Sequence, residues 1–277
     1  MARAGLVRAW GPGGLGAWRC GIHAVIVASL LLACAADANA QATPLPTPTD
    51  EDRKAAFPPD LQGHGVHDDG LHFMVLADQL EWQVSDIGGG AIWDAKAWVG
   101  GDINRILVRT EANYQDGVFD DAEGHLLLGR NVSRWWTVVG GVRQDFTPGP
   151  ARTWAAIGLQ GLAPQWFDVE VTGYFGESAR TALRAEVEYD LLVNDRVVIQ
   201  PILELNLFGK SDPERQVGAG LSSIEFGARV RYEVRRELAP YAGLVWHRKV
   251  FATGDLAREE GHGVGGWRLV TGLRVWF

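Results

Sequence analysis

Alternation of apolar and charged residues is the feature that most limits what this chain can fold into. Between Leu183 and Asp190 every second residue is apolar and every residue between is charged, and residues 224–233 nearly repeat the pattern. Because successive side chains of a strand point to opposite faces, each stretch has one apolar and one charged face. After Leu71 there is no clear helical period of 3.6 residues. The chain is therefore predicted to be all-β.

The alternation and the turn-forming residues between the stretches predict twelve antiparallel strands. An even number brings both ends of the barrel sheet to the same side of a membrane, as in bacterial outer-membrane barrels. The two longest connections, Gly209–Leu221 and Val250–Gly266, both fall on the side opposite the chain ends, and short inner turns with longer outer loops are typical of that class. The predicted strands are 72–84, 91–100, 105–114, 119–130, 136–146, 153–162, 167–176, 181–192, 197–208, 222–233, 239–249 and 267–277.

Two strands fit the alternation poorly. In the first strand Asp78 shares a face with apolar neighbours, which indicates a bulge or another register. In the ninth strand Pro201 lies in the middle, where it removes a ladder donor. The last strand ends in Phe277, and a terminal aromatic residue resembles the sorting signal of outer-membrane proteins. Tryptophans cluster at strand ends, as in interfacial girdles.

A soluble β-sandwich or lipocalin-type barrel would show the same alternation, with the apolar face buried. A soluble barrel does not require tryptophans at both rims or a terminal phenylalanine, so a transmembrane antiparallel β-barrel is favoured. Its lumen is then lined by both charge signs, which form either a salt-bridged plug or a polar conduit. The predicted lumen residues are Asp94, Lys96, Arg109, Glu111, Glu123, His125, Arg143, Asp145, Asp168, Glu170, Arg184, Glu186, Glu188, Glu204, Asn206, Glu225, Arg229, Arg231, Arg268 and Arg274.

The sequence before the barrel divides into two segments. Residues 1–40 have arginines, then an apolar run of about 13 residues, then Ala38-Asn39-Ala40, which together predict a signal peptide for Sec-type export. Residues 41–71 are rich in proline and charge and are predicted to be a disordered periplasmic linker, and residues 72–277 form the barrel. Both cysteines, Cys20 and Cys34, lie in the signal, so no disulfide or thiolate site is expected after cleavage.

Charge and motifs exclude several functions. Cleavage after Ala40 removes three of the 26 basic and one of the 34 acidic side chains, so the net charge becomes −10 and nucleic acid is not an expected partner. The chain has no Gly-x-Ser-x-Gly, His-Glu-x-x-His, phosphate loop or Cys-x-x-Cys. A barrel hydrolase would need a serine held beside a histidine at the rim, and no such pair follows from the strand register. The chain is predicted not to be an enzyme.

Four runs of residues carry a resemblance to a known family. They are HFMVLADQLEW from His72, WDAKAWVGGD from Trp93, YDLLVNDRVVIQP from Tyr189 and APYAGLVW from Ala239. With these runs the chain resembles the copper resistance protein B family from about His72 to Phe277. The resemblance implies a Gram-negative outer-membrane protein that binds copper and contributes to copper homeostasis or export from the periplasm. It implies outer-membrane lipid, copper ions and periplasmic copper-resistance proteins as partners, and no tightly bound cofactor.

This chain departs from the family in one respect. Members carry a segment rich in methionine and histidine before the barrel, whereas after cleavage this chain keeps one methionine, Met74. What remains is one candidate site of His64, His67 and His72 with Asp68 or Asp69, whose nitrogen and oxygen ligands suit Cu(II) better than Cu(I). The alternative is a solvated tail that binds nothing. Further candidate ligands at the lumen are Met74, His125, His247, Glu186 and Glu188, although no spacing brings them together.

Two other functions stay open at this point. The chain could be a small nonspecific channel or a structural barrel that has no metal specificity, because only one methionine remains. A barrel hydrolase is less favoured, since it lacks a recognisable serine–histidine pair.

Overall fold

The computed structural model describes residues 47–56, 70–85, 88–115 and 117–277, and its main feature is a set of twelve antiparallel strands. Each predicted strand is present, and most bounds differ from the prediction by one to three residues. The strands are β1 His72–Ser85, β2 Gly88–Gly100, β3 Asn104–Gln115, β4 Val118–Asn131, β5 Trp136–Thr147, β6 Arg152–Leu162, β7 Phe167–Gly176, β8 Arg180–Tyr189, β9 Val197–Phe208, β10 Gly220–Tyr232, β11 Leu238–Lys249 and β12 Gly265–Trp276.

The sheet closes on itself through its first and last strands. Each strand pairs with the next along the chain, and β12 pairs with β1 from Trp276 opposite Leu76 to Leu269 opposite Val84. The Phe277 amide donates to the Val75 carbonyl at 2.9 Å, and the Val75 amide donates back at 3.0 Å. Closure leaves the described part of the sheet without a free edge strand, which a membrane-spanning sheet requires. The prediction of a closed twelve-stranded barrel is confirmed.

The first predicted irregularity is a bulge in β1. The register against β2 shifts between Ala77 and Gln79, so Asp78 is the extra residue. The bulge brings Asp78 to the inner face, where it is buried and pairs with Arg274 of β12. Without the bulge, Asp78 would be in register with the apolar residues of β1. The extra residue shifts the register and lets Asp78 point into the lumen.

The second predicted irregularity lies at Pro201 in β9. Ile202 pairs with Glu188, and Ile199 pairs with Leu191 in the same register, but no pairing is formed between these two points. Leu191–Leu192 is therefore a two-residue continuation of β8. Because Pro201 has no amide hydrogen, the gap in the ladder lies where the proline removes a donor, and the strand itself continues.

The two faces of the barrel are the reverse of those of a soluble protein. Leu128 and Leu269 point outward and are 68% and 66% exposed, whereas Glu123 and Arg231 point inward and are 2% exposed. A soluble barrel buries its apolar face and solvates its charged one, so this distribution fits a barrel surrounded by lipid. Rings also meet near strand ends, as where Trp135 packs edge-on against Trp166 at 5.7 Å.

No helix within the described residues is long and apolar enough to cross a membrane.

The connections follow the predicted asymmetry, with one correction. Short turns join the strands at the end where the chain enters the barrel. The longer connection 250–264, predicted as loop without helical structure, contains a helix, Phe251–Glu259, with Thr253, Gly254 and Ala257 buried. The buried face of this helix consists of small residues instead of large apolar ones, so it produces no visible helical period.

The segment before the barrel has one described element. Asp50–Ala56 forms a short helix within the predicted disordered linker. Thr49 caps it, because its hydroxyl accepts from the Asp52 amide at 3.1 Å while the Asp52 carboxylate accepts from the Thr49 amide at 2.8 Å. The predicted signal peptide, both cysteines, and His64, His67 and Asp68 lie outside the described residues.

Candidate functional site

A cavity of about 370 Å³ occupies the half of the lumen nearest the chain ends. Met74 near the start of β1 lines it, together with Arg134 and Trp135 of the turn between β4 and β5. Because short turns mark the periplasmic end of such barrels, the cavity lies on the periplasmic side. Its charged lining consists of Asp78, Asp168, Glu170, Glu186, Glu188, Lys96, Arg105, Arg109, Arg134 and Arg274.

The five acidic and five basic side chains of this cavity are not all paired with one another. Arg109 pairs with Glu170 and Arg274 with Asp78, while the Lys96 ammonium lies 3.8 Å from Asp94. Among the described residues, Asp168 and Glu188 belong to no ion pair. Glu188 accepts only a hydrogen bond from the Gln200 side-chain amide at 3.0 Å.

The strand register explains why these carboxylates face one another. Asp168 of β7 is directly opposite Glu188 of β8, and Glu170 is directly opposite Glu186. Glu186 is in turn opposite Glu204 of β9. Like charges directly opposite each other destabilise a sheet. A cation among these carboxylates would remove that repulsion, so this part of the cavity wall is electrostatically suited to hold one.

The half of the lumen beyond the cavity is filled by an ion-pair layer. Arg184 of β8 contacts Glu123 at 2.8 Å and Glu111 at 2.9 Å. Arg143 of β5 lies 2.5 Å from both Glu123 and Asp145. The Arg184 pairs join strands four and five positions apart around the barrel and therefore cross its interior, whereas Arg143 pairs within β5 and with the neighbouring strand β4. The outer half of the lumen therefore contains ion pairs of the kind predicted for a salt-bridged plug, and the inner half contains a polar cavity.

The structure brings some of the predicted site residues together and separates others. Met74, Glu186 and Glu188 line the same cavity, and His72 is exposed at the first position of β1. His125 is in the ion-pair layer, with its Nε2 2.9 Å from Glu123 and its ring edge-on to Tyr174. The His247 Nδ1 lies 3.2 Å from an Arg268 guanidinium nitrogen in the outer half. Neither histidine lines the cavity.

Three charged residues that line the cavity were not among the predicted lumen residues. Asp78 required the bulge, although its mismatched phase was visible in the sequence. Arg134 lies in a turn and Arg105 lies next to one. Strand alternation does not predict whether side chains in a turn point into the lumen or away from it. In the described part of the chain, no group of three His, Cys, Asp or Glu side chains is arranged to hold a metal ion.

Closure, an apolar exterior and a charged interior together define an outer-membrane β-barrel. The NanC porin shares this fold, with a TM-score of 0.50 and 11% identity over 74% of this chain and 99% of the porin. The family model described as copper resistance protein B precursor (CopB) matches residues 71–277.

Two relatives are similar over most of their length. The copper resistance protein B homolog of Pseudomonas syringae pv. tomato is 47% identical over 228 residues, which are 82% of this chain and 77% of that protein. Copper resistance protein B of Escherichia coli is 46% identical over the same shares. The chain belongs to the copper resistance protein B family.

Proposed function

We propose that this outer-membrane protein binds copper ions at the periplasmic end of its barrel and contributes to copper homeostasis by moving copper out of the periplasm. The observation that carries the proposal is the cavity that Met74 shares with the unpaired carboxylates Asp168 and Glu188. A thioether is a ligand for Cu(I), and carboxylates attract either copper ion by charge. Copper is the cargo here, and the proposal includes neither a catalytic step nor a tightly held cofactor.

The histidines before the barrel supply the entry step of the proposal. His72 begins β1 and Met74 follows two residues later on the same face of the strand, so a copper ion held at His72 is one side chain from the cavity. His64, His67 and Asp68 precede His72 by eight residues or fewer. Their imidazole and carboxylate groups suit Cu(II), so the segment is proposed to collect copper, and periplasmic copper-resistance proteins to deliver it.

Copper titration of the mature chain tests the binding step. The unmodified protein is expected to take up copper at micromolar concentrations, whereas a His64→Ala/His67→Ala/His72→Ala variant should take up less. His262→Ala is the matched control, because His262 is an exposed histidine in an outer connection, 3.4 Å from Glu260. Equal uptake by the unmodified protein and the triple variant would contradict the proposed site.

A nonspecific channel is the second candidate, and the open cavity is the observation that favours it. The ion-pair layer opposes it, since Arg184 and Arg143 fill the lumen beyond the cavity. Planar-bilayer recordings separate the candidates. A nonspecific channel conducts potassium chloride with or without copper, whereas the copper-resistance protein is expected to show little conductance.

A further inference from the structure

The outer connection 209–219, called the strap, is folded back on itself and partly buried. Asp212 and Val217 exchange two backbone hydrogen bonds of 2.8 and 3.1 Å, which fold the strap into a tight hairpin. Asp212 and Arg215, both charged, are 7% and 8% exposed. Charged side chains on an external loop normally remain in water, so their burial shows that the strap packs onto another part of the protein.

The strap is bound to the rim of the barrel at β5 and β6. It joins β9 to β10, whereas the Arg215 guanidinium donates to the carbonyls of Pro150 at 3.0 Å and Thr147 at 3.1 Å, in the connection from β5 to β6. The rim at β6 is three strands from β9 along the sheet. A loop that reaches that point spans a quarter of the rim, and the burial of Arg215 shows that it also turns in toward the mouth of the barrel.

Three ion pairs join the strap to Arg152 and Arg180. The Asp212 carboxylate lies 3.2 Å from the Nε atoms of both Arg152 and Arg180, at the outer ends of β6 and β8. Arg152 also reaches Glu214 at 3.0 Å. On the backbone side, the Glu214 carbonyl leaves no space for a Cβ at Gly149, which has a φ of +69°. Charge pairing and close backbone packing thus occur at the same contact.

The other limb of the strap is anchored to the helix Phe251–Glu259. The Gly218 amide donates to the Thr253 hydroxyl at 2.9 Å, and that hydroxyl donates to Ser222 at 2.8 Å. The strap is therefore fixed at its β10 side by hydrogen bonds and at its far side by ion pairs. Ion pairs are weakened by added salt or by a competing charge, so the far side is the one able to release.

We propose that the strap is a lid that closes the outer end of the barrel and is held shut by the ion pairs of Asp212 and Arg215. Arg215 also lies 3.4 Å from Asp145, which belongs to the ion-pair layer of the lumen. Displacing the strap would expose that layer to the outside. The inference goes beyond the copper proposal, because it concerns closure of the outer end whatever passes through.

Trypsin cleavage of the folded mature chain tests whether the ion pairs hold the strap. Lys210 is exposed and Arg215 is buried, so cleavage after Lys210 is an internal reference for cleavage after Arg215, read by mass spectrometry. Asp212→Ala is expected to raise the ratio of Arg215 to Lys210 cleavage about tenfold, because cleavage follows the population of the open form. Arg258→Ala removes an exposed arginine that pairs only with Asp255 and should leave the ratio unchanged. An unchanged ratio in Asp212→Ala overturns the proposal.

Planar-bilayer conductance tests whether the strap closes the lumen. The recordings use an Arg184→Gln background, which weakens the ion-pair layer beneath the strap. Adding Asp212→Ala is expected to raise conductance roughly twofold or more over Arg184→Gln alone, since the outer constriction is removed. Faster cleavage with unchanged conductance shows a loop that is held but does not close the barrel, and the proposal fails. If Arg184→Gln yields no inserted protein, shown by the absence of a heat-modifiable gel band, the same conductance comparison is made in an Arg143→Gln background, which also weakens the ion-pair layer.

Discussion

The outer and periplasmic halves of the lumen contain the same types of residue in opposite arrangements. In the outer half, Glu123 lies between the guanidinium groups of Arg143 and Arg184. In the periplasmic half, Asp168 faces Glu188 across a strand pair, and neither has an ion-pair partner among the described residues. The carboxylates of the first arrangement have ion-pair partners within the protein, whereas the facing carboxylates of the second would be stabilised further by an added cation. The difference indicates that one half serves to close the barrel and the other to receive an ion.

The largest expected effect comes from breaking the satisfied half. Arg184→Ala leaves Glu123 and Glu111 with fewer partners in the interior, and removing one member of a buried ion pair costs about 3 kcal/mol of folding free energy. Urea unfolding of the barrel in lipid vesicles measures the loss. Arg134→Ala is the control, because this exposed arginine belongs to a turn at the cavity mouth. Equal small losses for the two variants would abolish the distinction between the halves.

A smaller effect is expected on ion binding in the periplasmic half. Met74→Leu keeps the apolar volume but removes the thioether, so Cu(I) affinity should fall about tenfold, or ~1.4 kcal/mol. Cu(II) affinity should change less, because imidazole and carboxylate ligands remain. Competition titrations with chelators selective for each oxidation state measure both values. Equal losses for Cu(I) and Cu(II) would show that Met74 acts on the shape of the cavity and not as a ligand.

The smallest expected effect is a gain in the folding stability of the barrel, whereas the first variant loses stability. Glu188→Gln removes one of two carboxylates that face each other and retains an oxygen that can accept from Gln200, so the barrel should gain roughly 0.5 kcal/mol of stability without copper. The same vesicle unfolding assay measures it. A loss of stability would mean that Glu188 has a favourable partner in the lumen, and the periplasmic half would then be satisfied like the outer half.

Most of the fold follows from the sequence, because strand alternation is a local property. The twelve strands and the irregularity at Asp78 were visible in residue patterns of about ten positions, and the closed barrel was inferred from the even strand number, the loop lengths and the terminal Phe277. The helix Phe251–Glu259 was not, because Thr253, Gly254 and Ala257 pack by being small. Because these buried residues are small, the sequence shows no helical repeat of large apolar residues.

The candidate site was only partly predictable, for a geometric reason. Alternation predicts that Glu123 and Arg184 point inward, but not that they meet, since they are 61 residues apart and their contact depends on height and position around the barrel. The same holds for Arg215, whose position over the mouth depends on the path of an external loop. Met74, Glu186 and Glu188 were predicted as separate candidates, and only the closed barrel brings them into one cavity.

Copper is expected to bind in the periplasmic half of the lumen and not in the outer half. Anomalous difference density at the copper edge, from crystals of the mature protein grown with copper, tests this most directly. The predicted result is a peak in the cavity beside Met74 and the pair Asp168 and Glu188, with none in the ion-pair layer. Copper density only at the outer connections, or none at copper concentrations that saturate the protein in solution, would contradict the account.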